Sequence, residues 1–513
     1  MYDMAKQVIR HPQSLPLSSY NVTADFGNLP SGYRGLIVLP GYVPRDLTPD
    51  SISISAPLTK YMPGTDEPEI RLNIPILSAA MQSVSGHRMA IALARMGGMA
   101  DIYCSQPAQD QAYMISTVKR HKGAFIEPEV ISPDNKLEGV ASRMKTTGYS
   151  KFFVTEGAQQ HGRLLGLITD NDFDEIKHTD LRVGDRMKPV EQLDLVYDDE
   201  VGYDIRRAND RAKESHHSVL PVIYRDGTLR DVVFRRDIRE HRGNRDELLD
   251  DKKRLMVAAA INTHDYMERV PAVVDAGADV LIIDTSQGYN DYVRETCDFI
   301  RQEYPRLPYI GGNVVTEDGF KFLVNECGVY GVKAGMGIAS ICITPEQTGI
   351  ARGQDKAIED VTKARDEYFA ETGIYVPIGA DGGVRSVRDM LVGLSLGADW
   401  LMLGRMLAGT DESPTEINYE FSPPKKPYWG EGSERSKNWR ENRGYNIEFN
   451  EGVEARVDYV GPLEPYLTRL MTQLKDGIRK SGCRTIDDTH KNAVVETISE
   501  DEVQTHGVLV ERR

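Results

Sequence analysis

A cysteine between hydroxyl side chains closes a glycine-rich loop in the run Gly335-Met336-Gly337-Ile338-Ala339-Ser340-Ile341-Cys342-Ile343-Thr344. A thiolate adds to electron-poor carbon, and glycines let backbone N–H groups approach phosphate oxygens. One loop therefore combines a nucleophile with an anion cradle. The competing reading is a buried structural thiol, since free cysteine is among the most buried residue types. Two further loops, Gly379-Ala380-Asp381-Gly382-Gly383-Val384-Arg385 and Gly404-Arg405-Met406, favour chemistry. The three together can turn N–H donors on one phosphate. Asp381 cannot ligate phosphate, but a carboxylate suits a ribose diol as a two-oxygen acceptor. Ser78 to Gln82, Asp284-Thr285-Ser286 and Gly311-Gly312-Asn313 stand at the ends of other apolar runs. Each of these alone reads as strand-end capping.

Such loops need a scaffold that brings many strand ends to one face. Apolar runs at 74–77, 255–258, 280–283, 309–310, 331–332, 376–378 and 400–403 read as strands. Helical patterns occupy 265–276, 289–302, 316–325 and 387–396. This alternation predicts an α/β fold, a parallel sheet closed as a TIM (β/α)8 barrel. In that fold functional groups gather at the C-terminal ends of the strands, with phosphate on the last loops.

Residues 126–246 interrupt the pattern and contain an internal repeat. Gly166-Leu167-Ile168-Thr169-Asp170-Asn171-Asp172-Phe173 is echoed by Asp231-Val232-Val233-Phe234-Arg235-Arg236-Asp237-Ile238. Each copy follows a strand-like run and a turn. Two such units are too small to stand alone and pair into one module. A long insertion in a barrel loop adds little closure entropy. The expected division is 1–125 and 247–513 for the barrel, with 126–246 inserted.

The 513 residues exceed a single ordinary core, and 40% apolar content is globular. Five cysteines without C-x-x-C spacing argue against a disulfide framework or a zinc site and for a reducing cytoplasm. No apolar run approaches the ~18 residues that span a bilayer, and the N-terminus lacks a signal-peptide core. A net charge of −16 disfavours nucleic acid or an anionic membrane as partner.

The cysteine loop, the Asp381-Gly382-Gly383 and Gly404-Arg405 loops, the tandem repeat and the tail resemble the inosine-5′-monophosphate dehydrogenase and guanosine-5′-monophosphate reductase family. The likeness covers nearly the whole chain and is closest in layout to the dehydrogenases. It implies that Cys342 adds to C2 of a hypoxanthine ring, that NAD takes the hydride, and that water releases xanthosine monophosphate from a thioimidate. Ser340, Gly382, Gly383, Gly404 and Arg405 match phosphate positions, and Asp381 a ribose position. Tyr428, Gly430, Glu431 and Gly432 fall in a segment that resembles the one meeting phosphate and purine edge. Asp284, Thr285, Ser286 and Asn313 match the dinucleotide site. Carbonyls of Gly337, Ala339 and Cys342, with Glu502, match a site for a monovalent cation such as potassium. Thr344 and Glu451 match positions near the attacking water. The insertion resembles a paired CBS (Bateman) module with a regulatory nucleotide, and the family implies a homotetramer.

The chain also departs from the family pattern. Pro345 replaces an arginine, Ile338-Ala339 replaces a Gly-Gly or Pro-Gly pair, and Glu502-Val503-Gln504 replaces Glu-Gly-Gly. The flap should carry an adjacent Arg-Tyr pair, the arginine acting as base for water. Counted without gaps from Asn438-Trp439, that pair falls on Glu441-Asn442; with a gap, Arg443 and Tyr445 take its place. Three readings follow: a dehydrogenase with a divergent flap, a reductive deaminase of GMP or a related nucleotide using NADPH, and a nucleotide sensor. The intact Cys342 argues against the last.

Overall fold

In this computed structural model the described residues are 8–9, 33, 35–121, 125–147, 149–174, 177–178, 180–215, 218–235, 246–436 and 450–498. They form two compact units, Lys119–Leu255 and a larger one assembled from the chain on either side of it.

The larger unit is a closed barrel of eight parallel strands: β1 (Ile76–Ser78), β2 (Met99–Ile102), β3 (Ala258–Ile261), β4 (Val280–Ile283), β5 (Tyr309–Val314), β6 (Gly331–Ala334), β7 (Ile378–Asp381) and β8 (Trp400–Leu403). Neighbours in sequence are neighbours in space, and β8 closes on β1 with Leu401 opposite Ile76. This is the TIM barrel expected. Helices connect the strands, among them Tyr266–Asp275, Asp291–Glu303, Gln354–Thr372 and Val387–Ser395. Asn290 and Ser386 start two of these by accepting the N–H of Val293 and Asp389 on their side chains.

Barrel strands are covered on both faces, which is why most read as unbroken apolar runs. Two corrections come from that rule's limits. β2 escaped the sequence reading because Asp101 breaks its apolar run. β3 begins at Ala258 rather than 255, because the Met256-Val257 approach is as buried as the strand itself.

Asp101 and Lys333 are the charged residues buried in β2 and β6. The Lys333 ammonium lies 2.6 Å from Asp284 Oδ1 and 2.7 Å from Asp381 Oδ2. Burial works against that ammonium, yet the two carboxylates outweigh it and hold its pKa above the ordinary lysine value. Asp101 has no hydrogen-bond partner for either oxygen. Burial first, and then the negative field of Asp284, push its pKa well above the ordinary carboxylate range; Lys333 offsets only part of this.

The second unit holds two copies of one β-α-β-β pattern. In the first, Val130–Ile131, the helix Leu137–Thr147 and the strands Lys151–Thr155 and Leu164–Thr169 follow in order. In the second, Val196–Tyr197, the helix Ile205–Glu214 and the strands Val219–Ile223 and Leu229–Phe234 do the same. In each copy the first strand pairs parallel to the second and the last two pair antiparallel. The halves share a core in which Phe153 and Leu167 meet Val219 and Val232. The unit extends beyond both repeat-based boundaries.

Two tests follow from the barrel. A Cβ on Gly379 would sit 2.1 Å from the ring of the fully buried Trp400. Overpacking of this kind costs about 1–3 kcal/mol, so Gly379→Ala should lower the denaturation midpoint accordingly; an unchanged midpoint would show that the ring can move aside. The unfolded chain releases the Asp101 proton near about pH 4, while the folded state keeps it to higher pH. Between those values the folded state binds more protons, so stability falls as pH rises. Asp101→Asn removes that loss. Its melting temperature should exceed that of the unaltered protein by a margin that widens from pH 5 to pH 8, whereas a pH-independent margin would mean that Asp101 is ionised in the fold.

Candidate active site

The cysteine loop leaves β6 through a tight passage. Gly335 and Gly337 take φ of +139° and +75°, and a Cβ on Gly335 would lie 2.1 Å from the Asp381 carbonyl. Only glycine fits there. Beyond the turn the chain runs antiparallel to a distant segment, with Cys342 opposite Gly452. Ile343 N–H donates to the Glu451 carbonyl at 2.8 Å, and Val453 N–H to the Ile341 carbonyl at 3.0 Å. Glu451 and Gly452 in turn donate to the Gly432 carbonyl at 3.1 and 3.2 Å. Three stretches far apart in sequence are thus clipped edge to edge.

That clip sets a line of side chains. The Cys342 thiol donates to Thr344 Oγ1 at 3.2 Å, and the Thr344 hydroxyl donates to Glu451 Oε2 at 2.9 Å. Cys342 is half-buried and Thr344 is buried. Thr344 opens the helix Thr344–Thr348, and Pro345 occupies its first turn, where proline's fixed φ is favourable. A Cβ on Gly337 would meet the Pro345 ring at 2.8 Å, so the proline packs on the cysteine loop.

The glycine loops converge on the same region. Gly382 and Gly383 have φ of +95° and +79°, and a Cβ on Gly382 would touch Ile338 at 3.1 Å and the Ala339 nitrogen at 3.5 Å. One on Gly404 would lie 2.9 Å from the Tyr428 hydroxyl. Burial pushes the Tyr428 phenol up and keeps it protonated; the hydrogen bond to Ser340 and the nearby Arg405 charge pull the other way. Ser340, Gly382, Gly383, Gly404, Arg405 and Tyr428 are thereby brought together. A Cβ on Gly430 would lie 3.5 Å from Ile341, so this turn sits against the cysteine loop. Glu431 Oε1 accepts the Gln82 N–H at 2.8 Å, and Gln82 Oε1 accepts Trp429 Nε1–H at 3.1 Å.

Asp284, Thr285 and Asn313 form the other flank. Thr285 Oγ1 donates to the Gly312 carbonyl at 2.7 Å, and Asn313 N–H to the Thr285 carbonyl at 3.2 Å. The Asn313 amide donates to the Gly335 carbonyl at 2.7 Å and to Asp381 Oδ2 at 2.9 Å. Its own oxygen is buried without a partner. Ser286 is exposed beside them. The Ala339 carbonyl accepts the Cys342 N–H at 3.0 Å, and among the described residues no group of three His, Cys, Asp or Glu side chains could hold a metal. Arg443, Tyr445 and Glu502 lie outside the described residues.

Sequence reasoning assigned no role to Lys333, Asp101 or Gln82. The signal for the first two was a lone charge in a buried strand. Gln82 carried only its place at the end of an apolar run, because its partners come from Ser105 and from residues 429–431.

A family model for the IMP dehydrogenase / GMP reductase domain matches residues 31–508. The chain is 39% identical over 490 residues to inosine-5′-monophosphate dehydrogenase of Tritrichomonas foetus, covering 94% of this chain and 96% of that one. It is 32% identical over 473 residues to the enzyme of that name from Schizosaccharomyces pombe, covering 90% and 86%. Among solved structures, a cysteine-to-alanine variant of GMP reductase from Trypanosoma brucei in complex with guanosine 5′-monophosphate superimposes with a TM-score of 0.80 at 25% identity, over 95% of this chain and 99% of that one. With so much of its length matched and its cysteine and glycine loops gathered at one end of the barrel, this chain belongs to the IMP dehydrogenase / GMP reductase family.

Proposed function

We propose that this protein is an oxidoreductase that converts inosine 5′-monophosphate to xanthosine 5′-monophosphate with NAD, a step toward guanine nucleotides. The observation that carries the reading is the Cys342–Thr344–Glu451 line of hydrogen bonds. It offers the thiol proton a route through a hydroxyl to a carboxylate. The thiolate adds to C2 of the purine; loss of hydride from C2 leaves a thioimidate on Cys342. Once Glu451 has passed the thiol's proton to solvent, water adds at C2 and gives a proton to the Thr344–Glu451 pair; the C2–S bond then breaks and the Cys342 sulfur takes that proton back as thiol. Covalent attack divides one difficult oxidation into two accessible steps.

Ser340, Gly382, Gly383, Gly404 and Arg405 hold the phosphate, Asp381 the ribose, and Tyr428, Gly430, Glu431 and Gly432 the remaining edge. Asp284, Thr285, Ser286 and Asn313 hold NAD, which supplies the hydride acceptor when bound. The unpartnered buried oxygen of Asn313 fits that role, since a ligand N–H would satisfy it. Carbonyls of Gly337, Ala339 and Cys342, with Glu502, would hold a monovalent cation by backbone oxygens. Arg443 and Tyr445 serve as the flap pair. The unit Lys119–Leu255 acts as a Bateman module for a regulatory nucleotide, a reading supported by its two matching β-α-β-β copies around one core. The enzyme works as a homotetramer, as the family resemblance implies, and its cysteine usage suits a reducing cytoplasm. Among the described residues no helix is long and apolar enough to cross a membrane.

The structural likeness to a GMP reductase supports a second reading, NADPH-dependent deamination of GMP. The same proton line suits departure of ammonia. Reduced-nicotinamide absorbance separates the two. A rise with inosine monophosphate, NAD and potassium, abolished by Cys342→Ala, is expected. A fall with guanosine monophosphate and NADPH would replace the first reading by the second, and silence in both would favour a sensor.

The relay makes a sharper demand on the second half-reaction. A thiol near pKa ~8.5 ionises appreciably without help, whereas water near ~15.7 does not. Glu451→Gln should therefore retain a rapid first turnover of NADH and slow the steady state by about 10²-fold or more. Equal slowing of burst and steady state would remove Glu451 from water activation.

A further inference from the structure

Lys333 is 1% exposed and holds two carboxylates at once. It takes one oxygen from each: Oδ1 of Asp284 and Oδ2 of Asp381. Asn313 Nδ2 donates to that same Asp381 Oδ2 at 2.9 Å. Among the described residues no hydrogen bond claims the second oxygen of either carboxylate. On the assignments proposed above, Asp381 belongs to the purine-nucleotide site and Asp284 to the dinucleotide site. Asp101, inside the same barrel, does not compete for the ammonium while it keeps its proton.

We propose that Lys333 is a positioning residue that couples the two ligand sites, so that the nucleotide and the dinucleotide each strengthen the binding of the other. The inference rests on the assignment of Asp381 to the nucleotide ribose and of Asp284 to the dinucleotide. A hydroxyl donating to the open oxygen of Asp381 fixes that carboxylate's orientation. The shared ammonium is fixed with it, since it cannot move toward one partner without leaving the other. Asp284 is then already oriented when its own ligand arrives, and the second binding event loses less conformational freedom than the first. By linkage the effect is reciprocal.

The bridge explains why a lysine stands where an apolar strand residue would pack more cheaply. A buried ammonium paired with two carboxylates is seldom a net source of stability, and a specificity or switching role is its best-attested use. The pairing also joins strands β6 and β7 to the loop after β4, which are not all neighbours in the sheet.

The test is a binding cycle in the Cys342→Ala protein, which cannot turn over. The Kd of inosine monophosphate is measured by equilibrium dialysis alone and at saturating NAD, and the Kd of NAD with and without inosine monophosphate. Both should tighten by the same factor, about fivefold or more. In Cys342→Ala/Lys333→Met the factor should fall to one, and Lys333→Arg, whose guanidinium can span both carboxylates, should restore part of it. Should the methionine variant fail to fold, Lys333→Gln, neutral and shorter, is read in its place. Independent binding of both ligand pairs with Lys333 intact, inosine monophosphate with NAD and guanosine monophosphate with NADPH, overturns the proposal, as does undiminished coupling in a folded, uncharged variant. The same cycle with guanosine monophosphate and NADPH separates this inference from the choice of reaction. Coupling seen with that pair alone would sink the dehydrogenase reading and leave Lys333's role standing.

Discussion

One ammonium inside a closed ring of strands governs much of this structure. The barrel interior excludes water, so charges there must be compensated at contact distance or neutralised. Lys333 meets two carboxylates directly, whereas neither oxygen of Asp101 has a hydrogen-bond partner. Burial pushes the Asp101 carboxyl well above the ordinary range, while Lys333 stays between Asp284 and Asp381. Asn313 completes the arrangement by donating to the oxygen of Asp381 that Lys333 already holds. Two carboxylates at the C-terminal ends of β4 and β7, each with one oxygen uncommitted among the described residues, share this single compensation.

The nucleophile depends on a different constraint, the backbone clip between residues 341–343 and 451–453. Cys342, Thr344 and Glu451 meet because main-chain hydrogen bonds hold their segments in register, with the Gly432 carbonyl gripping the far side. Glycines at 335 and 452 let backbones approach where a Cβ would press on the neighbouring chain, 2.1 Å from the Asp381 carbonyl and 3.1 Å from the Ser433 nitrogen. Pro345 belongs to the same design. Its ring abuts Gly337 and starts a helical turn, so the residue that looked like the loss of a cation also shapes the loop.

Family membership and geometry bear on different questions. The matched residues 31–508 and the 39% identical relative identify the kind of protein. The hydrogen-bonded line from thiol to carboxylate says how a proton can travel, and it serves an arriving water or a departing ammonia equally well. Reaction direction therefore turns on groups around that line; Arg443 and Tyr445, which the sequence singles out for it, lie outside the described residues.

Local chemistry made a good part of this protein legible in its sequence. Strand runs such as 280–283 and 400–403 were readable because burial on both faces demands unbroken apolar residues, and the glycine loops because glycine alone takes their backbone angles. The tandem repeat was readable because each copy carries its own strand and turn pattern. The meeting of Thr344 with Glu451, 107 residues apart, was not a local property. Nor were the roles of Lys333 and Gln82, whose partners lie on other strands and loops, or the burial of Asp101 without a partner. Types and spacing determined which elements form and which side chains are reactive. Only closure of the barrel decided which charges face each other, because compensation inside a dry core depends on distance through space and not along the chain.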